Sequence, residues 1–235
     1  MQPQEEQLAI AKRRTKMKKI SIFAVMVILA GVISFSSQAF GQSGSKVLMI
    51  IREGRLYDPD LSIQMEVGTM MVLLKKAGFG VDVTSVAPMD NVSGRSQKIE
   101  KLLSLSEVKL DDYVGVIIPC MGAENVASPK MLTTIKDVVA KGKPIAASYG
   151  AVAVLAKAGV LKGRKFAFYT GPSDPEFKCF FDITDLEGAT YSGTGVVQDG
   201  KIITGGTCPI SEARPGIQNT TFELTQTFIA AIKPK

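Results

Sequence analysis

Four short segments of the sequence carry residue types that could do chemistry. They contain Glu66, the Pro-Cys-Met-Gly run at residues 119–122, the Ser-Tyr-Gly run at residues 148–150, and Cys208. A serine or cysteine beside a carboxylate can act as a nucleophile with a general base. Histidine is absent from the chain, which excludes Ser-His-Asp triads, Cys-His dyads and imidazole zinc sites. Any catalysis must therefore use carboxylates, hydroxyls, thiols, amines or the backbone.

The run Ala147-Ser148-Tyr149-Gly150 has the most specific pattern of the four. A short strand of small residues, a nucleophile-type residue, a glycine two positions later and an immediate helix are typical of a nucleophile elbow. Such a turn would lift Ser148 above the sheet, and the N-terminus of the helix would offer unpaired N–H groups to an anion. The same pattern also fits a small serine that only caps the helix.

The elements that position these segments alternate between buried strands and helices. Continuous apolar runs at residues 46–51 and 113–119 predict strands that are buried on both faces. Helices are predicted over residues 62–76, 151–158 and 219–232, and a further helix runs from the Ser128-Pro129 start signal to about Ala140. Further strands are predicted over residues 81–86, 145–147, 165–169, 190–197 and 201–204. This order predicts a parallel sheet covered on both faces, with a ligand site beyond the carboxyl ends of its strands.

Several stretches follow a known family pattern. Residues 143–164 read Lys-Pro-Ile-Ala-Ala-Ser-Tyr-Gly and end in Ala-Gly-Val-Leu-Lys-Gly-Arg, and residues 197–204 read Val-Gln-Asp-Gly-Lys-Ile-Ile-Thr. They resemble the Gly-Lys-Pro-Ile-Ala-Ala-Ile-Cys-His-Gly, Leu-Leu-Lys-Gly-Arg and Asp-Gly-x-Leu-Ile-Thr motifs of the DJ-1/PfpI family. Glu66 and the segment 74–85 match the family's acidic residue and its Arg-Ala-Gly-x-x-Val segment. The resemblance extends from about Lys46 to Ile232 and implies an α/β, flavodoxin-like three-layer sandwich, with a mostly parallel sheet, helices on both faces and a homodimeric assembly.

The departures from the family pattern bear on activity. By this resemblance the family's reactive cysteine falls on Ser148, and the following residue, often histidine, falls on Tyr149. The family's Pro-Gly-Gly loop reads Pro-Cys-Met-Gly at residues 119–122, and Glu66 is the acidic partner. A serine hydroxyl has a far higher pKa than a thiol, and no imidazole is present to take its proton. The family's glyoxalase, deglycase or peroxide-sensing thiol chemistry is therefore not expected at Ser148.

Two functions from different classes remain open, beside a purely structural or interaction role. The first is a small-molecule-binding protein without cofactor or metal that lacks the family's cysteine chemistry. The second is a hydrolase, or a glyoxalase- or deglycase-like lyase, that uses Glu66 with Ser148 or a flanking cysteine. The predicted catalytic residues are Ser148 and Glu66, and the predicted binding residues are Tyr149, Gly122, Cys120 and Cys208.

The chain has three cysteines, Cys120, Cys179 and Cys208, so at most one intrachain disulfide can form. The loops with Cys120 and Cys208 should leave the sheet on either side of Ser148, and both thiols are expected closer to Ser148 than Cys179 is. There they could form a disulfide, a soft-metal pair or an alternative nucleophile. They could equally be small buried packing residues.

The N-terminus predicts export. A basic cluster at residues 12–19, an apolar run at residues 20–33 and Ser37-Gln38-Ala39 have the order of a signal peptide. Cleavage after Ala39 would leave residues 40–235 as a single domain in the periplasm or outside the cell, and an uncleaved membrane anchor is the alternative. Six basic and two acidic residues lie in residues 1–39, so the remainder is nearly balanced and no nucleic-acid partner is expected.

Overall fold

The computed structural model describes residues 44–51, 61–85, 92–93, 98–99, 102–121, 127–209, 211 and 216–234. The predicted signal peptide and the predicted binding residue Gly122 lie outside these residues. Among the described helices, none combines the length and the apolar character needed to cross a membrane.

The strands are β1 (Lys46–Ile50), β2 (Gly80–Ser85), β3 (Val92–Ser93), β4 (Lys98–Ile99), β5 (Leu103–Ser104), β6 (Tyr113–Ile118), β7 (Ile145–Ser148), β8 (Lys165–Phe166), β9 (Thr190–Tyr191), β10 (Val196–Asp199) and β11 (Ile202–Gly205). The helices are α1 (Gly68–Lys76), α2 (Pro129–Ala140), α3 (Gly150–Lys157), α4 (Phe177–Phe180) and α5 (Thr221–Ile232). A π-helical segment, Leu61–Val67, leads directly into α1, and short 3-10 turns occupy Leu110–Asp112 and Ile183–Leu186.

Seven strands form the main sheet, in the order β10-β11-β7-β6-β1-β2-β5. The neighbours from β11 to β5 pair in parallel, and β10 is antiparallel to β11. Strands β3 and β4 form a separate antiparallel pair, and β8 and β9 form a parallel pair. The mostly parallel flavodoxin-like sheet expected from the sequence is therefore confirmed.

Helices cover both faces of this sheet because its central strands are apolar on both sides. Successive residues of a strand point to opposite faces, and the buried residues accordingly divide into two clusters. The cluster on the α2 and α3 face includes Leu48, Val116, Ile118, Met131, Ile135 and Leu155. The cluster on the α1 and α5 face includes Val47, Met49, Ile117, Met70, Leu74 and Phe228. These two cores are the two interfaces of a three-layer sandwich.

Local signals set most boundaries. The Ser128 side chain accepts a hydrogen bond from the Met131 N–H at 3.2 Å, as expected for the cap of a helix with proline at its first position. The predicted strand at residues 165–169 is too long, since only Lys165 and Phe166 pair with β9. Beyond them the Ala167 N–H bonds to the Thr204 hydroxyl at 2.8 Å, so a side chain replaces the strand partner.

Candidate functional site

Glu66 enters the site from the π-helical segment before α1. Its residue is only 1% exposed, and its Oε1 accepts a hydrogen bond of 3.0 Å from the Cys120 backbone N–H. This bond ties the start of α1 to the turn that follows β6. Burial raises the pKa of Glu66 to about 7, against smaller lowering effects of the Ser148 hydroxyl and the Cys120 N–H. The carboxyl can therefore gain or lose a proton near neutral pH.

The elbow between β7 and α3 has its strained residue at Tyr149. Tyr149 has φ 46° and ψ −115°, and it is the one non-glycine residue with positive φ in the described part of the chain. Such conformations cost about 1–3 kcal/mol and persist where the surroundings hold them. Here the Tyr149 N–H donates to the Gly205 carbonyl at 2.8 Å and the Val152 N–H donates to the Tyr149 carbonyl at 2.9 Å.

The prediction that Ser148 takes the strained conformation is wrong. Ser148 is the last residue of β7 and pairs in register with Gly205 of β11, so the parallel ladder keeps it extended. The turn begins one residue later. Counted without a gap from Gly142, the family motif Gly-Lys-Pro-Ile-Ala-Ala-Ile-Cys-His-Gly also places its cysteine on Tyr149, not on Ser148.

Tyr149 fills the elbow with an aromatic ring. Its residue is 8% exposed, and the ring stacks on Phe168 with centroids 5.4 Å apart and an interplanar angle of 6°. Tyr169 and Phe180 contact the same ring at centroid distances of 5.1 and 5.2 Å. Burial, with smaller effects of neighbouring acidic groups, raises the pKa of the phenol. The elbow side chain is thus a packed, neutral anchor and carries no thiol.

Ser148 lies beneath the elbow with its hydroxyl enclosed. The residue is fully buried, and its Oγ makes no well-formed hydrogen bond to any described residue. The hydroxyl is nonetheless close enough to the Glu66 carboxyl to lower its pKa. An unsatisfied buried hydroxyl costs about 1–3 kcal/mol, so a further hydrogen-bond partner for this oxygen would be stabilising. A catalytic role for Ser148 stays a prediction.

Cys120 and Cys208 meet beside the elbow. The Cys120 thiol is in hydrogen-bonding contact with the Cys208 thiol, and the Gly150 N–H donates to the Cys120 sulfur. Cys208 is fully buried, while Cys120 is partly exposed as a residue although protein atoms surround its sulfur. Cys179 is exposed on α4, where its Sγ donates to the Pro175 carbonyl at 3.8 Å. All three thiols are free.

The pKa of the Cys120 thiol is raised well above its ordinary value. The hydrogen bond to Cys208 is the largest cause, followed by burial and the negative charge of Glu66. In the described part of the chain, no group of three His, Cys, Asp or Glu side chains is placed to hold a metal ion. The soft-metal alternative for Glu66 and the two cysteines therefore has no support among these residues.

Met121 is a site residue that the sequence analysis missed. It is buried, and its carbonyl carbon and oxygen press against Gly150, where an added Cβ would lie 1.4 Å from the Met121 oxygen. The sequence feature that pointed to Met121 is the Cys120-Met121 pair, which replaces the Gly-Gly of the family motif. Because Gly150 has no side chain, the turn after β6 runs directly against the first residue of α3.

A cavity of about 620 Å³ lies at α4, whose Phe180 contacts the Tyr149 ring. Pro172 and residues 177–183 line it, and Phe180 is shared between the cavity wall and the Tyr149 ring. The cavity does not include Ser148 or Glu66, so the pocket predicted above Ser148 is not the space found here. Its nearest link to the elbow is through Phe180.

Comparison with known proteins shows the family of the chain and several similar proteins. Residues 55–212 match the DJ-1/PfpI family. The uncharacterized protein MJ0967 of Methanocaldococcus jannaschii is 28% identical over 201 residues, which cover 80% of this chain and 89% of that protein. Drosophila melanogaster DJ-1beta is 25% identical with a TM-score of 0.57, covering 81% of this chain and 92% of that one. Oxidized Toxoplasma gondii DJ-1 is 26% identical with a TM-score of 0.56, covering 79% and 89%. The chain belongs to the DJ-1/PfpI family.

Proposed function

We propose that this protein is an exported binding protein that holds a small polar molecule at the elbow, without the elbow thiol chemistry of its family. The proposed absence of elbow thiol chemistry rests on one observation, which is that Tyr149 occupies the strained position. A phenol packed against Phe168 with a raised pKa is neither a thiolate nor an accessible nucleophile. The elbow keeps its backbone shape while its side chain serves packing.

Binding is supported by the two polar groups beneath the elbow. The Ser148 Oγ makes no well-formed hydrogen bond among the described residues although it lies beside Glu66, and the Glu66 carboxyl, with a pKa of about 7, can act as donor or acceptor near neutral pH. A small carbonyl or hydroxy compound would satisfy both groups. A buried polar group that gains a partner recovers the cost of its desolvation.

A lyase or hydrolase that uses Glu66 is the second candidate. Its support is the same raised pKa, because a general base works best when its pKa lies near the working pH. Glu66 would remove a proton from a bound carbonyl compound, or from Ser148 or the flanking Cys120 acting as nucleophile. The two candidates share a site and differ in turnover.

Turnover and binding assays on matched variants separate them. Purified protein is incubated with methylglyoxal and with p-nitrophenyl acetate, and its melting temperature is measured with methylglyoxal and with D-lactate. The binding proposal expects a ligand-dependent rise in melting temperature in the wild type and in Glu187→Gln, lost in Glu66→Gln, with no turnover. Glu187 is the control because its carboxylate is exposed and forms an ion pair with Lys162. Turnover that Glu66→Gln abolishes favours the enzyme, and the absence of both signals contradicts both candidates.

Export is proposed from the basic and apolar order of residues 12–33 and the Ser37-Gln38-Ala39 run. N-terminal sequencing of protein from the extracytoplasmic fraction should begin at Phe40 or Gln42. Soluble cytoplasmic protein that retains Met1 would contradict it.

The homodimer implied by the family is a further proposal, and sedimentation equilibrium of the purified protein at several concentrations tests it.

A further inference from the structure

Two thiols on different turns meet beside β7. Cys120 follows β6 and Cys208 follows β11, and these strands are the two neighbours of β7 in the sheet. Because all three strands run in parallel, their following turns meet at one edge. The thiol of Cys120 contacts the thiol of Cys208 there, and both residues belong to one packed cluster.

Hydrogen bonds hold the backbones of both turns in place. The Glu66 carboxyl fixes the Cys120 backbone through the 3.0 Å bond to its N–H. The Ser211 hydroxyl accepts a 2.8 Å bond from the Cys208 N–H and donates another of 2.8 Å to the Cys208 carbonyl. Each sulfur is therefore presented by a fixed backbone. Two neighbouring thiols on fixed backbones can form a disulfide where their Cα atoms lie about 4.4–6.8 Å apart.

We propose that Cys120 and Cys208 form a reversible disulfide, by exchange with a small or protein disulfide, that joins the turns after β6 and β11. This inference is independent of the proposed ligand and of export. It assigns to the two flanking cysteines a redox site that the elbow, with tyrosine at its strained position, cannot provide.

The unequal exposure of the pair gives the order of the steps. Cys208 is fully buried, and Cys120 is partly exposed as a residue although protein atoms enclose its sulfur, so a local opening of the turn after β6 brings Cys120 to the incoming disulfide first. The Cys120 thiol loses its proton to water or to the ionised Glu66 carboxyl, and its thiolate attacks one sulfur of the disulfide R–S–S–R. That bond breaks, R–S⁻ leaves and takes up a proton, and Cys120 carries a mixed disulfide. Cys208 then loses its proton, attacks the Cys120 sulfur and releases the second R–SH. The protein dithiol is oxidised by two electrons, and R–S–S–R is reduced to two R–SH.

Thiol counting with oxidised glutathione tests the proposal. The full chain carrying Cys179→Ala, which removes only the exposed thiol of α4, is oxidised in the folded state, acid-quenched, denatured and titrated. The expected result is two thiols before treatment and none after it, an intact mass lower by two hydrogen atoms, no glutathione adduct and no reducible dimer. A reducing agent should restore both thiols.

Two further variants in the same background test the order. Cys208→Ala should trap a stable glutathione adduct on Cys120, whereas Cys120→Ala should leave the buried Cys208 unmodified. The proposal is overturned if both thiols of the Cys179→Ala chain remain titratable after oxidation, or if Cys120 keeps its glutathione adduct while Cys208 is present. It is also overturned if the disulfide forms only when the oxidation is done in denaturant. Should either alanine variant fail to fold, peptide mapping of the oxidised Cys179→Ala chain gives the same decision, through the presence or absence of a Cys120–Cys208 cross-linked peptide.

Discussion

The turn after β6 and the turn after β7 lie against each other at one edge of the sheet. A reactive elbow combines a strained backbone with a thiol, whereas here each of these two turns has only one of the two features. The turn after β7 has the strained backbone, at Tyr149, but no thiol. The turn after β6 has the thiol, at Cys120, in contact with the carboxyl-bearing segment of Glu66. The difference shows that the strained conformation does not depend on a reactive side chain. The β7–β11 ladder and the contact between Met121 and Gly150 maintain it.

The contact between the two turns can be broken most directly at Gly150. Gly150→Ala would place a Cβ 1.4 Å from the Met121 carbonyl oxygen, which forces backbone to move. The free energy of unfolding should fall by about 4 kcal/mol, above the usual range for overpacking. Urea denaturation measures the loss. Gly195→Ala is the control, because its Cβ would meet nothing within 4 Å, and it should change stability by less than about 0.5 kcal/mol. Equal losses in the two variants would show that the turns do not support each other.

The role of the Tyr149 ring is tested by removing it. Tyr149→Ala should lower the free energy of unfolding by about 3 kcal/mol, because the ring packs on Phe168, Tyr169 and Phe180. Tyr149→Phe retains the ring and should cost less than about 1 kcal/mol in the same urea titration. If Tyr149→Phe loses as much as Tyr149→Ala, the hydroxyl is the important group, and the description of this side chain as a packing anchor fails.

Glu66 links the two turns and should make stability depend on pH. Its pKa rises from 4.5 to about 7 in the folded chain, so the native state binds more protons than the unfolded state between these values. Stability should therefore be greatest below about pH 4.5, as far as this group is concerned, and fall as pH rises through about 7, by at most about 3 kcal/mol. Urea titrations at pH 5 and pH 8 measure this difference.

Glu66→Gln gives the comparison that isolates this effect, since glutamine cannot ionise. The variant should lose less stability than the wild type between pH 5 and pH 8. Glu187→Gln, at an exposed carboxylate, should retain the wild-type dependence. The opposite result would be a free energy of unfolding that rises between pH 5 and pH 8, and rises more in the wild type than in Glu66→Gln. It would show that the pKa of Glu66 is not raised.

Ser148→Ala should have the smallest effect on stability. The hydroxyl makes no well-formed hydrogen bond among the described residues, so its removal should change the free energy of unfolding by no more than about 0.5 kcal/mol, or stabilise slightly. Because this hydroxyl lowers the pKa of Glu66, the midpoint of the pH dependence should also move upward. A loss above about 1 kcal/mol would show that the hydroxyl is satisfied in the folded protein and is not available to a ligand.

The fold was predictable because its signals are local. The apolar runs at residues 46–51 and 113–119 and the Ser128-Pro129 cap each specify one element, and the alternation of strands and helices specifies their arrangement. The position of the elbow within one residue was predictable from Ser-Tyr-Gly. Its strained residue was not, because the register with β11 decides whether Ser148 or Tyr149 leaves the ladder. The contact between Cys120 and Cys208 depends on the paths of two turns that are far apart in sequence, and no local pattern gives it.

The hydrogen bond from the Tyr149 N–H to the Gly205 carbonyl has a consequence for the motions of the site. An amide in a turn ordinarily exchanges its hydrogen with solvent quickly, but this one is bonded as if the strand continued for one more residue. It can exchange only when β11 separates from the elbow, an opening that would also release the backbone of Tyr149 from its positive φ. The exchange of this single amide therefore reports how often the elbow opens, on a timescale of local unfolding rather than of loop motion.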